Sequence, residues 1–199
     1  MTTAQQSTNA AKYETGNPVV QRMIGRFFEV LADVVGPLRP GSVLDAGCGE
    51  GETIERLAGL LPERIAAVDV ERSCVEAVRS RHPGVEVSRD SVDALPFADD
   101  AFDLVLCLEV LEHVPEPERA VRELARVAGR DVVVSVPYEP YFRIGSLLRG
   151  KYVTALGNHP EHVNHYNRRT LRELLEPAGE LTELRVAFPW LIAAVSVRG

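Results

Sequence analysis

A chain of 199 residues, 45% hydrophobic and 26% charged, has the make-up of an ordinary globular protein and room for one domain with a full core. A formal charge of −7 and a pI near 5.3 disfavour nonspecific binding to nucleic acid. Cys48, Cys74 and Cys107 are scattered thiols with no CxxC pair, which argues against a disulfide framework and a zinc site and fits a reducing compartment.

No apolar run reaches the length of a membrane span, and the polar start MTTAQQSTNAAK lacks the apolar centre of a signal peptide. Residues 1–17 read as a flexible lead-in and 18–199 as a single domain. The expected setting is cytoplasmic, away from membranes, as a monomer or homodimer. A modest basic stretch at 143–151 reads as a solvated helix face.

Short apolar runs alternate with longer amphipathic ones, the mark of alternating strands and helices. The spacing predicts a helix over 19–35, stopped by Gly36-Pro37. A strand over 42–46 leads to a helix over 52–61, which ends at Pro62. A strand over 65–70 precedes a helix to about Arg81, with Ser73 as a candidate cap. A short strand at 85–88 is followed by a loop containing Leu95-Pro96-Phe97. Residues 103–108 are apolar on both faces, as a central parallel strand requires. A helix over 117–127, with Pro in its first turn, precedes a strand over 131–136. The stretch 137–166 loses this rhythm. A helix over 168–176 and two strands, 181–187 and 191–197, close enough to pair antiparallel, complete the chain.

The irregular stretch is distinctive in content. It holds Tyr138, Tyr141, Phe142, Tyr152 and Tyr166, and three of the five histidines, His159, His162 and His165. A long loop inside a compact domain is usually functional, so 137–166 reads as a substrate-facing cap.

The run VLDAGCGEG over 43–51 is a glycine-rich turn between a strand and a helix. Dinucleotide-binding folds share that geometry, so the glycines alone do not choose a ligand. The charges do. Asp45, Glu50 and Glu52 crowd a helix start where a pyrophosphate would otherwise be welcome. They repel phosphate and attract an ammonium group, such as the aminoacyl end of S-adenosylmethionine. Asp69, at the end of the next strand, suits two ribose hydroxyls. Asp90, Ser91 and Val92, after the third strand, suit an adenine edge.

These segments, with AVDVE at 67–71, LPFADDAFDLVLCLEVLEHV at 95–114 and LLEPAG at 174–179, resemble the class I S-adenosylmethionine-dependent methyltransferases, in particular their bacterial small-molecule branch (methyltransferase type 11-like). The likeness runs from about Val43 to the C-terminus. It implies an α/β, Rossmann-like sheet of seven mostly parallel strands, an antiparallel last strand and helices on both faces. The cofactor-binding set it implies, with the residues lining the same turns, is Asp45, Ala46, Gly47, Cys48, Gly49, Asp69, Val70, Asp90, Ser91, Val92 and Leu108. One position departs from the pattern: Ser91 stands where family members often carry the Asp that contacts adenine.

Glu109, Glu112 and His113 form E-x-x-E-H directly after the fourth strand, at the carboxyl end where ligands bind in open α/β sheets. The segment is similar to one in ubiquinone-pathway O-methyltransferases and small-RNA 2′-O-methyltransferases. In those, the trio and a later histidine bind a metal. The resemblance therefore implies Glu109, Glu112, His113 and His162 as ligands of a divalent cation, and Glu109, His113 and His162 as catalytic groups. His159 and His165 are alternative bases, and Tyr13 is a candidate to fold over the cofactor. The expected activity is methyl transfer to a small-molecule acceptor, at oxygen. The alternatives are a metal-assisted RNA or protein methyltransferase, a non-catalytic S-adenosylmethionine-binding protein, and a nicotinamide dehydrogenase.

Overall fold

A computed structural model describes residues 17–139 and 163–197. The first helix among the described residues, α1 (Pro18–Val35), begins where the Asn17 side chain accepts the Val19 amide at 2.9 Å, with Pro18 in the first turn. Its buried stripe includes Ile24, Phe27, Phe28, Leu31, Val34 and Val35. Phe27 meets Phe28 and Trp190 edge-on, which pins α1 to the last strands.

Among the described residues, seven strands form one sheet: β1 (Val43–Ala46), β2 (Ile65–Val68), β3 (Glu86–Ser88), β4 (Phe102–Leu108), β5 (Ala128–Pro137), β6 (Gly179–Ala187) and β7 (Trp190–Val197). Their order is β3-β2-β1-β4-β5-β7-β6, and only β7 runs against its neighbours. The chain moves outward from β1 to β3 and returns to place β4 on the other side of β1. The strand order therefore reverses between β1 and β4, where such sheets open a crevice for ligands.

Among the described residues, the remaining α-helices are α2 (Glu52–Arg56), α3 (Arg72–Arg81), α4 (Pro117–Val127) and α5 (Arg168–Leu175). Side chains of β4 alternate between two cores. Leu104 and Leu106 join Leu31 and Ile192, while Val105 and Cys107 join Val121, Leu124 and Leu171. Each fully buried leucine contributes about 2 kcal/mol relative to exposure. A third cluster packs α3 against the glycine-rich turn through Cys48, Ile54, Val75 and Val78.

Local chemistry explains where the structure departs from the expected elements. Helix α2 ends at Arg56 rather than at 61, and turns with Gly59 occupy the interval before Pro62. Ser73 lies inside α3 and does not cap it; Glu71 is the capping residue and makes no side-chain capping bond. Strand β5 starts at Ala128, three residues before the expected 131, directly from α4. At α5, Asn167 accepts the amides of Arg169 and Thr170 while the Thr170 hydroxyl accepts the Asn167 amide, a reciprocal cap.

The loop of Leu95-Pro96-Phe97 is held from α4. Arg126 donates to the carbonyls of Leu95 and Phe97 at 3.1 and 2.8 Å, and Glu123 accepts the Leu95 amide at 3.1 Å. Among the described residues, no helix is long and apolar enough to cross a membrane.

Candidate active site

The turn after β1 is shaped by its glycines. Gly47, Gly49 and Gly51 have φ of 85°, 53° and 87°, in the left-handed region that glycine occupies without strain. Gly47 also has no room for a side chain, because a Cβ there would stand 2.3 Å from Cγ2 of Val110. The amides of Gly47 and Cys48 both donate to the Val68 carbonyl, at 2.8 and 3.0 Å, folding the turn back over β2.

Two carboxylates flank this turn, Asp45 on β1 and Asp69 just past β2. Asp69 accepts the Gly49 amide with Oδ2 and the Glu71 amide with Oδ1, both at 2.8 Å, so it ties the turn to the start of α3. Asp45 is only 2% exposed, and its Oδ2 is buried without a hydrogen-bond partner. Burial, then the nearby charge of Asp69, pushes its carboxyl up to about 7. Two carboxylates at the carboxyl edge of β1 and β2, one of them unsatisfied, suit a cationic ligand group. That is the chemistry of an aminoacyl ammonium and the opposite of what a pyrophosphate needs.

The rest of the expected cofactor set lies along the same edge. Ala46 is fully buried and Cys48 nearly so. Val70 is exposed just beyond β2, and its carbonyl accepts Nε of Arg89 at 2.8 Å, joining the exits of β2 and β3. Asp90 and Ser91 are partly exposed, Val92 is buried in the core, and Leu108 is half-buried at the end of β4. Burial pushes all three thiols up, Cys74 to about 11, so they stay protonated and unreactive at neutral pH.

Glu109 follows β4 with a φ of 58°, a conformation that costs a non-glycine residue energy and persists only when its surroundings hold it. Ser135, fully buried on β5, holds it. Its hydroxyl donates to Glu109 Oε1 at 2.9 Å, and its carbonyl accepts the Glu109 amide at 3.0 Å. Sequence reasoning passed over Ser135; the signal was a lone hydroxyl in the valine run of DVVVSV.

Glu112 is 1% exposed, and its Oε1 lies 3.9 Å from Nε2 of the more exposed His113. The Glu112 carbonyl accepts the amides of Val163 and Asn164 at 2.9 and 3.1 Å. Asn164 Nδ2 donates to the carbonyls of Leu111 and Val114, and the Tyr166 hydroxyl donates to that of Leu111. The Glu139 amide donates to the Tyr166 carbonyl at 2.8 Å, beside a bridge between Tyr138 and Tyr166. Both described flanks of the expected cap, 138–139 and 163–166, are therefore stitched to each other and to the 111–114 turn. Neither Asn164 nor Tyr166 stood out in the sequence as an anchor.

The expected cation ligands are only partly assembled. Among the described residues, no group of three or more acidic, histidine or cysteine side chains is arranged to hold a metal ion. Glu109 is turned to Ser135, and His162 lies outside the described residues, as do His159 and Tyr13. His165 lies inside them, with Nδ1 3.9 Å from Glu139 Oε1.

Residues 44–135 match the methyltransferase domain family. A probable S-adenosylmethionine-dependent methyltransferase of Mycobacterium tuberculosis is 36% identical over 139 residues, covering 69% of this chain and 47% of that protein. A ubiquinone biosynthesis O-methyltransferase of Alkalilimnicola ehrlichii is 29% identical, covering 64% and 55%. In fold, the chain is similar to magnesium protoporphyrin IX methyltransferase of Synechocystis, solved with bound SAH. The TM-score is 0.71 at 20% identity, over 97% of this chain and 95% of that one. The chain spans about half the length of the first curated relatives it matches. Family match, strand order and the acid-lined turn agree: residues 44–135 carry a methyltransferase domain, in the fold of the class I S-adenosylmethionine-dependent methyltransferases.

Proposed function

We propose that this protein transfers the methyl group of S-adenosylmethionine to an oxygen of a small-molecule acceptor. The observation that carries the reading is the buried Asp45 carboxyl, whose Oδ2 has no hydrogen-bond partner, beside Asp69 at the glycine-rich turn, an arrangement suited to a cationic nucleoside cofactor. Bound there, the cofactor supplies a methyl group already activated by its sulfonium. The chain's own task is to bind, orient and exclude water.

In this reading Asp45 and the backbone of 46–49 hold the aminoacyl end. Asp69 holds the ribose, and Val70 with Asp90, Ser91 and Val92 border the adenine. Leu108 lines the floor at the end of β4. Glu109, fixed by Ser135, takes the acceptor's proton, with His113 and His162 as its partners in the same role. Residues 18–199 act as one catalytic domain, and the stretch 137–166 faces the acceptor. Oxygen is favoured because a carboxylate base suits a hydroxyl acceptor, and a ubiquinone-pathway O-methyltransferase is among the relatives.

A methyl-release assay over matched hydroxyl, amine and thiol acceptors tests this. Turnover confined to hydroxyl acceptors supports the reading. Turnover confined to amines or thiols would move the reaction off oxygen, and cofactor binding without turnover on any acceptor would favour a binding protein.

A further inference from the structure

Helix α3 begins two residues after Val70 and ends beneath the glycine-rich turn. At that end Arg81 donates to the Glu50 carbonyl at 3.0 Å and pairs with Glu55 at 2.5 Å. The next residue, His82, closes the helix by donating its amide to the Val78 carbonyl at 2.8 Å, and its own carbonyl accepts the Val85 amide at 2.9 Å. Its backbone is thereby fixed on both sides.

The imidazole fills the space under Gly51. A Cβ on Gly51 would stand 2.9 Å from Cδ2 and 3.0 Å from Nε2 of His82. That Nε2 is buried and has no hydrogen-bond partner. A buried polar atom left unsatisfied is costly, and a carbon ring would fill the same space without that cost. What the ring supplies here is therefore its flat edge against backbone.

We propose that His82 is a positioning residue for the cofactor: its ring wedges the glycine-rich turn from below and holds Gly49 and Gly51 in the left-handed conformation that shapes the turn to receive the aminoacyl end. The effect passes through two contacts. Gly51 rests on the ring, and the neighbouring Glu50 carbonyl is tied by Arg81. Gly49, two residues earlier, donates its amide to Asp69. The turn is thus braced at one end by Asp69 and at the other by the C-terminal end of α3.

The inference rests on the family's cofactor and not on the acceptor, so the test uses S-adenosylhomocysteine binding alone. The parent protein's own binding shows whether the cofactor site exists. Isothermal titration of His82→Ala is expected to show affinity weakened about tenfold or more, because the turn loses its support. His82→Phe refills the space and is expected to bind within about threefold of the parent, with a higher Tm in the absence of ligand, because the unsatisfied nitrogen is gone. His82→Leu keeps apolar volume without the flat edge and serves if the smaller residue unfolds the chain; its affinity is expected to fall between the other two. Affinity within twofold of the parent in His82→Leu, or in a folded His82→Ala, would overturn the proposal. So would a loss in His82→Phe as large as in the smaller variants, which would assign the role to the nitrogen and not to the shape of the ring.

Discussion

Asp45→Asn removes a charge from the turn while keeping its shape, and its effect can be worked from the structure. The carboxyl is buried, and its pKa rises from 3.8 to about 7. The folded protein therefore holds this proton between about pH 4 and 7, where the unfolded chain has lost it. Stability from this group is full below about pH 4 and is lost as pH rises through 7. The rise corresponds to about 4 kcal/mol, at about 1.4 kcal/mol for each tenfold change in proton affinity. An unpaired buried amide costs about 1–2 kcal/mol of its own, so at pH 8 the cofactor-free variant should be more stable than the parent by about 2 kcal/mol. Near pH 4 the order should reverse. Urea unfolding of both proteins from pH 4.5 to 8 measures the difference, in which the titration of groups remote from Asp45 cancels. A cationic ligand favours the ionised carboxyl, so S-adenosylhomocysteine should bind the parent more weakly by up to tenfold per pH unit below 7. The variant should bind weakly at every pH. A stability difference that does not change with pH would refute the reasoning, because the buried carboxyl would then not titrate as its surroundings require.

Asp69→Ala should weaken binding of S-adenosylhomocysteine by about 1.5–3 kcal/mol in isothermal titration, since it removes the proposed ribose acceptor and frees the Gly49 amide. Gly47→Ala should abolish that binding outright, because a methyl group meets Val110 at 2.3 Å and φ is 85°. Ser135→Ala should lower turnover while leaving cofactor affinity near the parent value, because it releases Glu109 and not the glycine-rich turn. Tyr166→Phe should cost about 1 kcal/mol in urea unfolding, through the lost bond to the Leu111 carbonyl at 3.2 Å.

The sheet was legible because its strands are written twice, in hydrophobicity and in punctuation. Residues 103–108 are apolar on both faces, and β4 is buried on both. The pair 181–187 and 191–197, with a short gap, folds as the antiparallel β6 and β7. Boundaries were less legible where a tertiary partner decides them. Ser73 looked like a cap, but the chain had already turned helical at Arg72, one residue past Glu71.

The cofactor turn was legible for a different reason. Glycines at 47, 49 and 51 and the acid at 45 are local in sequence, Asp69 stands at the matching exit of the next strand, and their meaning follows from geometry that a strand-to-helix turn imposes. The supports of the site were not. Ser135 meets Glu109 across 26 residues, and Asn164 meets the 111–114 turn across about 50. Such pairings exist only once β4 and β5 lie side by side, and no periodicity encodes them. His82 was passed over for the same reason, as a residue at the end of a helix with nothing local to mark it.

The central claim is that the acids of the glycine-rich turn select an aminoacyl-bearing cofactor over a phosphate-bearing one. Parallel isothermal titrations of the protein with S-adenosylhomocysteine and with NAD at pH 8 test it most directly. The account predicts saturable binding of S-adenosylhomocysteine and none of NAD. Tighter binding of NAD would contradict it.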